Sequence, residues 1–215
     1  MVRVLRVLHT GQGTVLEQSD GPGEAPAPGA PPIQFFEMES VEIIVGSQPT
    51  LARRALFALL YGTGLEISTA LATATTDVLF ETKQVRGPGT KAHTRDRVAR
   101  VADWAWPVVA EYVRSIPVGS QLFEGIDRHA ATEWHRETLQ DVGLKHIPMK
   151  NARHHWAVRM IRAGAPIRLV QEQLGHSTPL LTLDTYGRFR PTGGEMDEWE
   201  KSATARDSRR REARS

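Results

Sequence analysis

Apolar residues in this chain recur at the spacing of a buried helical face, but only in short runs that glycine closes. Leu51, Ala55, Leu56, Leu59 and Leu60 make one such face, broken by Gly62 and Gly64. A second helix is predicted after Gly64, through Ile67, Ala70 and Leu71. A third starts from Asn151 as N-cap, carries a stripe of Ala157, Val158, Met160 and Ile161, and has Gly164 at its C-cap position. Pro166 restarts a short helix through Leu169, Val170 and Leu174, ended by Gly175. The longest apolar stretches, such as Ala55–Tyr61, fall well short of the ~20 residues of a membrane helix. At 215 residues, one ordinary domain with extensions fits and two full domains do not.

Between these helices the pattern changes period. Val78-Leu79-Phe80 and Gln84-Val85-Arg86 flank a polar joint, Gly87-Pro88-Gly89 reads as a turn, and Arg97–Val101 alternates polar and apolar. A small antiparallel sheet with a basic hairpin over residues 77–101 is predicted. Trp104, Trp106 and Pro107 open a further helix through Val109 and Val113, the tryptophans reading as core anchors before a ligand-stacking role. The fold class expected is α+β, mainly α. Gly21–Pro32 is dominated by proline, glycine and alanine and reads as a linker. The chain therefore divides into an irregular segment 1–33, a folded domain 34–190 and a basic tail 191–215, predicted to be helical.

There is no cysteine, which excludes a disulfide scaffold, a cysteine zinc site, an iron–sulfur cluster and a thiol nucleophile. Arg6 splits the first apolar run and no small-residue cleavage site follows, so a cytoplasmic protein without a leader is expected. The net charge of +2 conceals segregation. No lysine or arginine lies between Val7 and Ala52, whereas Arg86, Lys91, Arg95, Arg97 and Arg100 stand against Asp96 alone. From Lys145 to Arg168 there are six cations and no acid, and the tail adds more arginines. That is the distribution of a face that meets a polyanion, or of a solvated surface with a basic tail.

Lys150 and Arg153 are three apart at a predicted helix start, so both should point to one side and could hold a phosphate. His176 follows Leu174-Gly175, where a helix has just ended, and Tyr186 lies ten residues on. Taken singly, these would be a capping histidine and a half-buried tyrosine. His154-His155 and Asp184 lack any metal-ligand spacing, so no metal or other cofactor is expected. Gly11-Gln12-Gly13 lacks the third glycine of a nucleotide loop.

In order, Lys150-Asn151-Ala152-Arg153-His154, Leu174-Gly175-His176 and Leu183–Phe189 resemble the catalytic half of the tyrosine recombinases, the phage-integrase family. Gly62–Ser68 resembles the family's Thr-Gly-Leu-Arg-(Ile/Val)-Ser box, and Gly89-Thr90-Lys91 through Arg97-Val98 its β-hairpin. Trp104-Ala105-Trp106 and Tyr186–Phe189 are similar to wording in proteins of actinobacteria and their phages. The resemblance covers about residues 49–200 and implies a tyrosine-recombinase catalytic-domain fold. It further implies a site-specific recombinase or integrase that breaks and rejoins double-stranded DNA as a homotetramer. Tyr186 would be the nucleophile forming a 3′-phosphotyrosyl intermediate, and Arg153 would grip the non-bridging oxygens. His176 and Lys150 would assist, and Lys91 would protonate the leaving 5′-oxygen. Arg95, Arg97, His154 and Arg188 would contact DNA. These catalytic groups are expected to converge on one point.

One position departs from the pattern: the family's first catalytic arginine falls where this chain has Glu66. At ~4 Å and an effective dielectric near 20, a carboxylate facing a phosphate costs on the order of 4 kcal/mol. Either Glu66 binds a neighbouring cation, or Arg53, Arg54, Arg95 or Arg97 supplies the missing charge, or activity is impaired. Residues 1–33 are also too short and proline-rich for the family's N-terminal DNA-clamping domain. Two further readings follow: an inactive integrase remnant, and a non-catalytic DNA-binding protein using Arg159–His176 as a helix-turn-helix-like pair.

Overall fold

The computed structural model describes residues 33–88, 97–176, 178–187, 189 and 201. The linker Gly21–Pro32, Gly11-Gln12-Gly13, and the expected site residues Lys91, Arg95 and Arg188 lie outside the described residues, as does all of the tail except Lys201. The chain forms two compact units, Met1–His155 and Trp156–Ser215.

The first unit is built on α2 (Leu51–Thr63), against which α1 (Met38–Gly46), α3 (Ile67–Ala72) and α4 (Trp106–Ser115) pack. The Thr50 hydroxyl caps α2 by accepting from the Arg53 N–H at 3.3 Å. From Ala55 onward every α2 residue is buried, so this helix is a core element on all sides. It ends at Gly64, whose φ of +70° is left-handed backbone that favours glycine, with its N–H on the Leu60 carbonyl.

Three strands follow: β1 (Val78–Leu79), β2 (Gln84–Gly87) and β3 (Arg97–Arg100), antiparallel in the order β1-β2-β3. Val85 pairs with Ala99, both fully buried, while their neighbours Arg86, Val98 and Arg100 face outward. This is the alternation expected of a sheet with one covered face. Gly87 is the last residue of β2, opposite Arg97, rather than part of a turn. A Cβ there would stand 2.7 Å from Thr69 Cγ2 and 3.3 Å from Leu65 Cδ2, so the bare backbone lets the sheet close on α3. Gly87→Ala is expected to destabilise the protein by about 1–3 kcal/mol through overpacking, read as a lower midpoint in urea.

The tryptophans pack as anchors: Trp104 and Trp106 lie against the core, and Trp106 meets Phe80 edge-on at 5.4 Å. Two helices of this unit have no counterpart in the periodicity reading above, α1 and α5 (Arg128–Asp141). α5 is capped by the Asp127 carboxylate, which accepts from the Ala130 N–H at 2.7 Å. α6 (Ala152–Arg162) begins in this unit, after a 3₁₀ turn at Met149–Asn151. Asn151 does not cap it as predicted; its side-chain amide donates to the Gln34 carbonyl at 2.7 Å and pins that turn to the entering chain.

The second unit holds the rest of α6, then α7 (Ile167–Leu174) packed on α8 (Pro179–Tyr186). α7 closes at Gly175, φ +68°, and the His176 N–H caps the Gln171 carbonyl at 3.1 Å. Thr178 caps α8, with Pro179 in its first turn. The expected architecture, mainly helical with one small antiparallel sheet, is the one observed. Among the described residues no helix is long and apolar enough to cross a membrane.

Candidate functional site

In the first unit, Arg153 reaches the loop Gly64–Glu66 that joins α2 to α3. Arg153, in the first turn of α6, sends Nη1 to the Gly64 carbonyl at 3.2 Å. Lys150 lies in the preceding 3₁₀ turn, exposed, so the shared side predicted for it and Arg153 does not come from one helical face. Both charges still act on His154. Burial first, and then Arg153 and Lys150, hold its imidazole below the usual histidine range. A neutral ring among fixed cations gains a proton more readily once an anion enters, which suits proton transfer beside a phosphate. His155 turns the other way: it is buried, with Nδ1 bonded to the Phe36 carbonyl at 2.5 Å and its ring edge-on to Tyr61.

Glu66 is exposed immediately before α3. Its electrostatic partner is Arg97: burial draws the Arg97 pKa down, and the Glu66 carboxylate opposes that shift. The Arg97 stem crosses Gly87, Cγ lying 3.7 Å from where a glycine Cβ would be, on the face where Leu65 and Thr69 also meet Gly87. Two other substitutes for the missing arginine are engaged elsewhere. The Arg53 guanidinium lies 3.7 Å over the Trp134 ring, and Arg54 Nη2 donates to the Gln48 carbonyl at 3.4 Å.

In the second unit, His176 Nδ1 and the Thr182 hydroxyl are 2.8 Å apart, and the Gln171 amide donates to the His176 carbonyl at 3.1 Å. Thr182 thereby orients the imidazole, while Gln171 holds the backbone of the α7–α8 turn. Its ring lies parallel to that of Tyr186, centroids 6.4 Å apart and planes 6° from coplanar. Tyr186 closes α8 and is 1% exposed, so the phenol is an interior group in this conformation. Thr182 has no motif in the sequence to mark it, and among the four arginines the sequence offered as substitutes at Glu66 only tertiary contacts could distinguish Arg97.

A mainly helical domain with a three-stranded antiparallel sheet in this order is the fold of a tyrosine recombinase catalytic domain. It superposes on the XerA recombinase with a TM-score of 0.65 at 18% identity, covering 82% of this chain and 66% of that one. For the catalytic domain of bacteriophage HP1 integrase the TM-score is 0.56 at 19% identity, covering 76% of this chain and 92% of that domain. Residues 35–191 match the phage integrase family, and the chain belongs to it. The tyrosine recombinase XerD of Corynebacterium glutamicum is 36% identical over 146 residues, which cover 61% of this chain and 47% of that protein. A tyrosine recombinase of Thermosipho africanus is 29% identical over 163 residues, covering 71% and 56% respectively. The chain thus spans about half the length of the curated relatives it matches.

Proposed function

We propose that this chain is a site-specific DNA recombinase or integrase that cleaves one strand through Tyr186. The phenol gives up its proton to His176 as its oxygen attacks phosphorus, the 5′-oxygen leaves with a proton from Lys91, and the 3′-phosphotyrosyl ester keeps the energy for joining to another strand. Arg153 donates a planar fork to the non-bridging oxygens as charge builds on them, with Lys150 and His176 in support. Arg95, Arg97, His154 and Arg188 contact the DNA. Domain 34–190 carries the chemistry, and the tail 191–215 serves assembly with a neighbouring subunit in a DNA-bound tetramer. Two of the similar solved structures, the Tn1549 transposon integrase and the XerH recombinase, are complexes with DNA, which supports duplex DNA as the partner here.

The observation that carries this reading is the parallel pairing of His176 with Tyr186, oriented through Thr182. This pairing sets the motif's histidine and tyrosine side by side at the α7–α8 turn, where the strand-cleaving reading needs both. Since Tyr186 is 1% exposed, cleavage requires α8 to shift and release the ring to the phosphate. The outward residues of α8, Leu180, Leu181 and Leu183, are exposed, so that side of the helix holds few contacts to break.

The test is covalent trapping on a pool of nicked duplexes of random sequence, from which denaturation-resistant adducts are recovered and sequenced. Wild type is expected to yield adducts on a common sequence and Tyr186→Phe none. DNA binding without any tyrosine-dependent adduct would leave the non-catalytic or remnant reading in its place.

A further inference from the structure

We propose that Arg97 is the second guanidinium that grips the DNA phosphate beside Arg153, and that Glu66 is the carboxylate that positions it. The proposal deepens the reading of this chain as a DNA-binding recombinase and rests on it. Four arginines were open to this role on sequence alone. The structure engages Arg53 on Trp134 and Arg54 on Gln48, and Arg95 lies outside the described residues.

Arg97 is placed by backbone register. It pairs with Gly87 across β2 and β3, and Gly87 has no side chain to obstruct its stem. The stem therefore crosses to the face shared with Leu65, which precedes Glu66, and Thr69, in the first turn of α3. Arg153 reaches the same loop through the Gly64 carbonyl. Gly64 and Glu66 are two residues apart, at most about 7 Å even with the chain fully extended. The Arg97 stem beside Leu65 and the Arg153 guanidinium on the Gly64 carbonyl thus bring two cations to one short loop, where a single phosphodiester could meet both.

Glu66 then has a function compatible with its charge. It neutralises a half-buried guanidinium while no DNA is bound, and an incoming phosphate takes over that partnership. An arginine at position 66 and an arginine reaching in from β3 would deliver the same charge to the same loop by different routes.

The experiment measures binding to a short non-specific duplex across a salt series, together with adduct formation on duplexes recovered by trapping. Arg97→Ala should weaken binding about tenfold and reduce the slope of log affinity against log salt by about 0.9, one phosphate contact. Arg97→Lys should keep the slope yet lose about tenfold in adduct rate, because a point charge replaces a fork. Glu66→Gln should tighten binding about threefold by removing the competing anion, while lowering the adduct rate through the misplaced guanidinium. Glu66→Arg in the Arg97→Ala background should recover at least about tenfold in adduct rate by restoring the second cation. An unchanged salt slope in a folded Arg97→Ala protein, checked by its melting temperature, would overturn the proposal. Should wild type form no adduct at all, strand cleavage fails as a reading, and the salt slope alone still decides whether Arg97 holds a phosphate.

Discussion

Replacing Arg153 with alanine is expected to slow covalent adduct formation by about 10²–10³-fold, the usual cost of losing one donor to a developing oxyanion. The side chain also has a modest structural task, donating to the Gly64 carbonyl at 3.2 Å. Losing that bond costs about 1 kcal/mol of stability, so the protein should remain folded. The two effects separate in Arg153→Lys. Lysine keeps the charge and the length but not the planar fork, so the adduct rate should stay well below wild type while binding affinity largely returns. Rapid-quench kinetics on a trapped duplex, beside melting curves, measures both. An adduct rate within about threefold of wild type, with a clear fall in melting temperature, would confine Arg153 to bracing the α2–α3 loop.

The second large effect is acid sensitivity, and it originates far from any DNA. His135 of α5 is 1% exposed, bonded at 2.8 Å to the Tyr61 hydroxyl and surrounded by the rings of Phe36, Phe57 and Tyr61. Burial, with a smaller contribution from His146, pulls its pKa down to about 4. The same burial pushes the Tyr61 phenol up, so the pair is neutral near pH 7. In the unfolded chain this histidine titrates near 6.5, so between that value and about 4 the unfolded state binds more protons than the folded one. Stability is therefore complete above pH ~6.5 and falls toward pH 4, by about 1.4 kcal/mol per unit and about 3 kcal/mol in all. Urea denaturation of wild type and His135→Gln at pH 7.5, 6, 5 and 4.5 measures it as a difference, which removes the carboxylates both proteins share. Equal pH slopes in the two proteins would refute the assignment.

Much of the helical framework was legible because its signals are local. α2 shows its buried face at helical spacing, and Gly64 and Gly175 stop α2 and α7 where the backbone turns left-handed. The strands were legible from their β-rich runs and the glycine that follows, but not their inward face: Ala99 is buried while Val98 is 45% exposed. α5 was not legible. Its inward residues are Ala131, His135, Thr138 and Leu139, two of them polar, so no apolar stripe marks the face. His135 and Thr138 are tolerated inside because Tyr61 and Gln48, from other elements, satisfy them. α1 was overlooked beside the proline-rich stretch, although Val41, Ile44 and Val45 have the spacing that would have disclosed it.

The candidate site divides along the same line. The chain's order of residues alone nominated the groups proposed for it, because a motif is a property of neighbours in sequence: Lys150 with Arg153, Gly175 with His176, and Tyr186 ten residues on. It also exposed the anomaly at Glu66. Only the tertiary structure decided how that anomaly is accommodated. Arg97 lies on the face of Leu65 and Thr69 because β3 pairs with β2 in a register that sets it opposite a glycine, and strand register is set by long-range packing of one sheet face. Likewise the burial of Tyr186 at the end of α8 depends on what covers that helix, a matter of packing that no spacing of residues encodes.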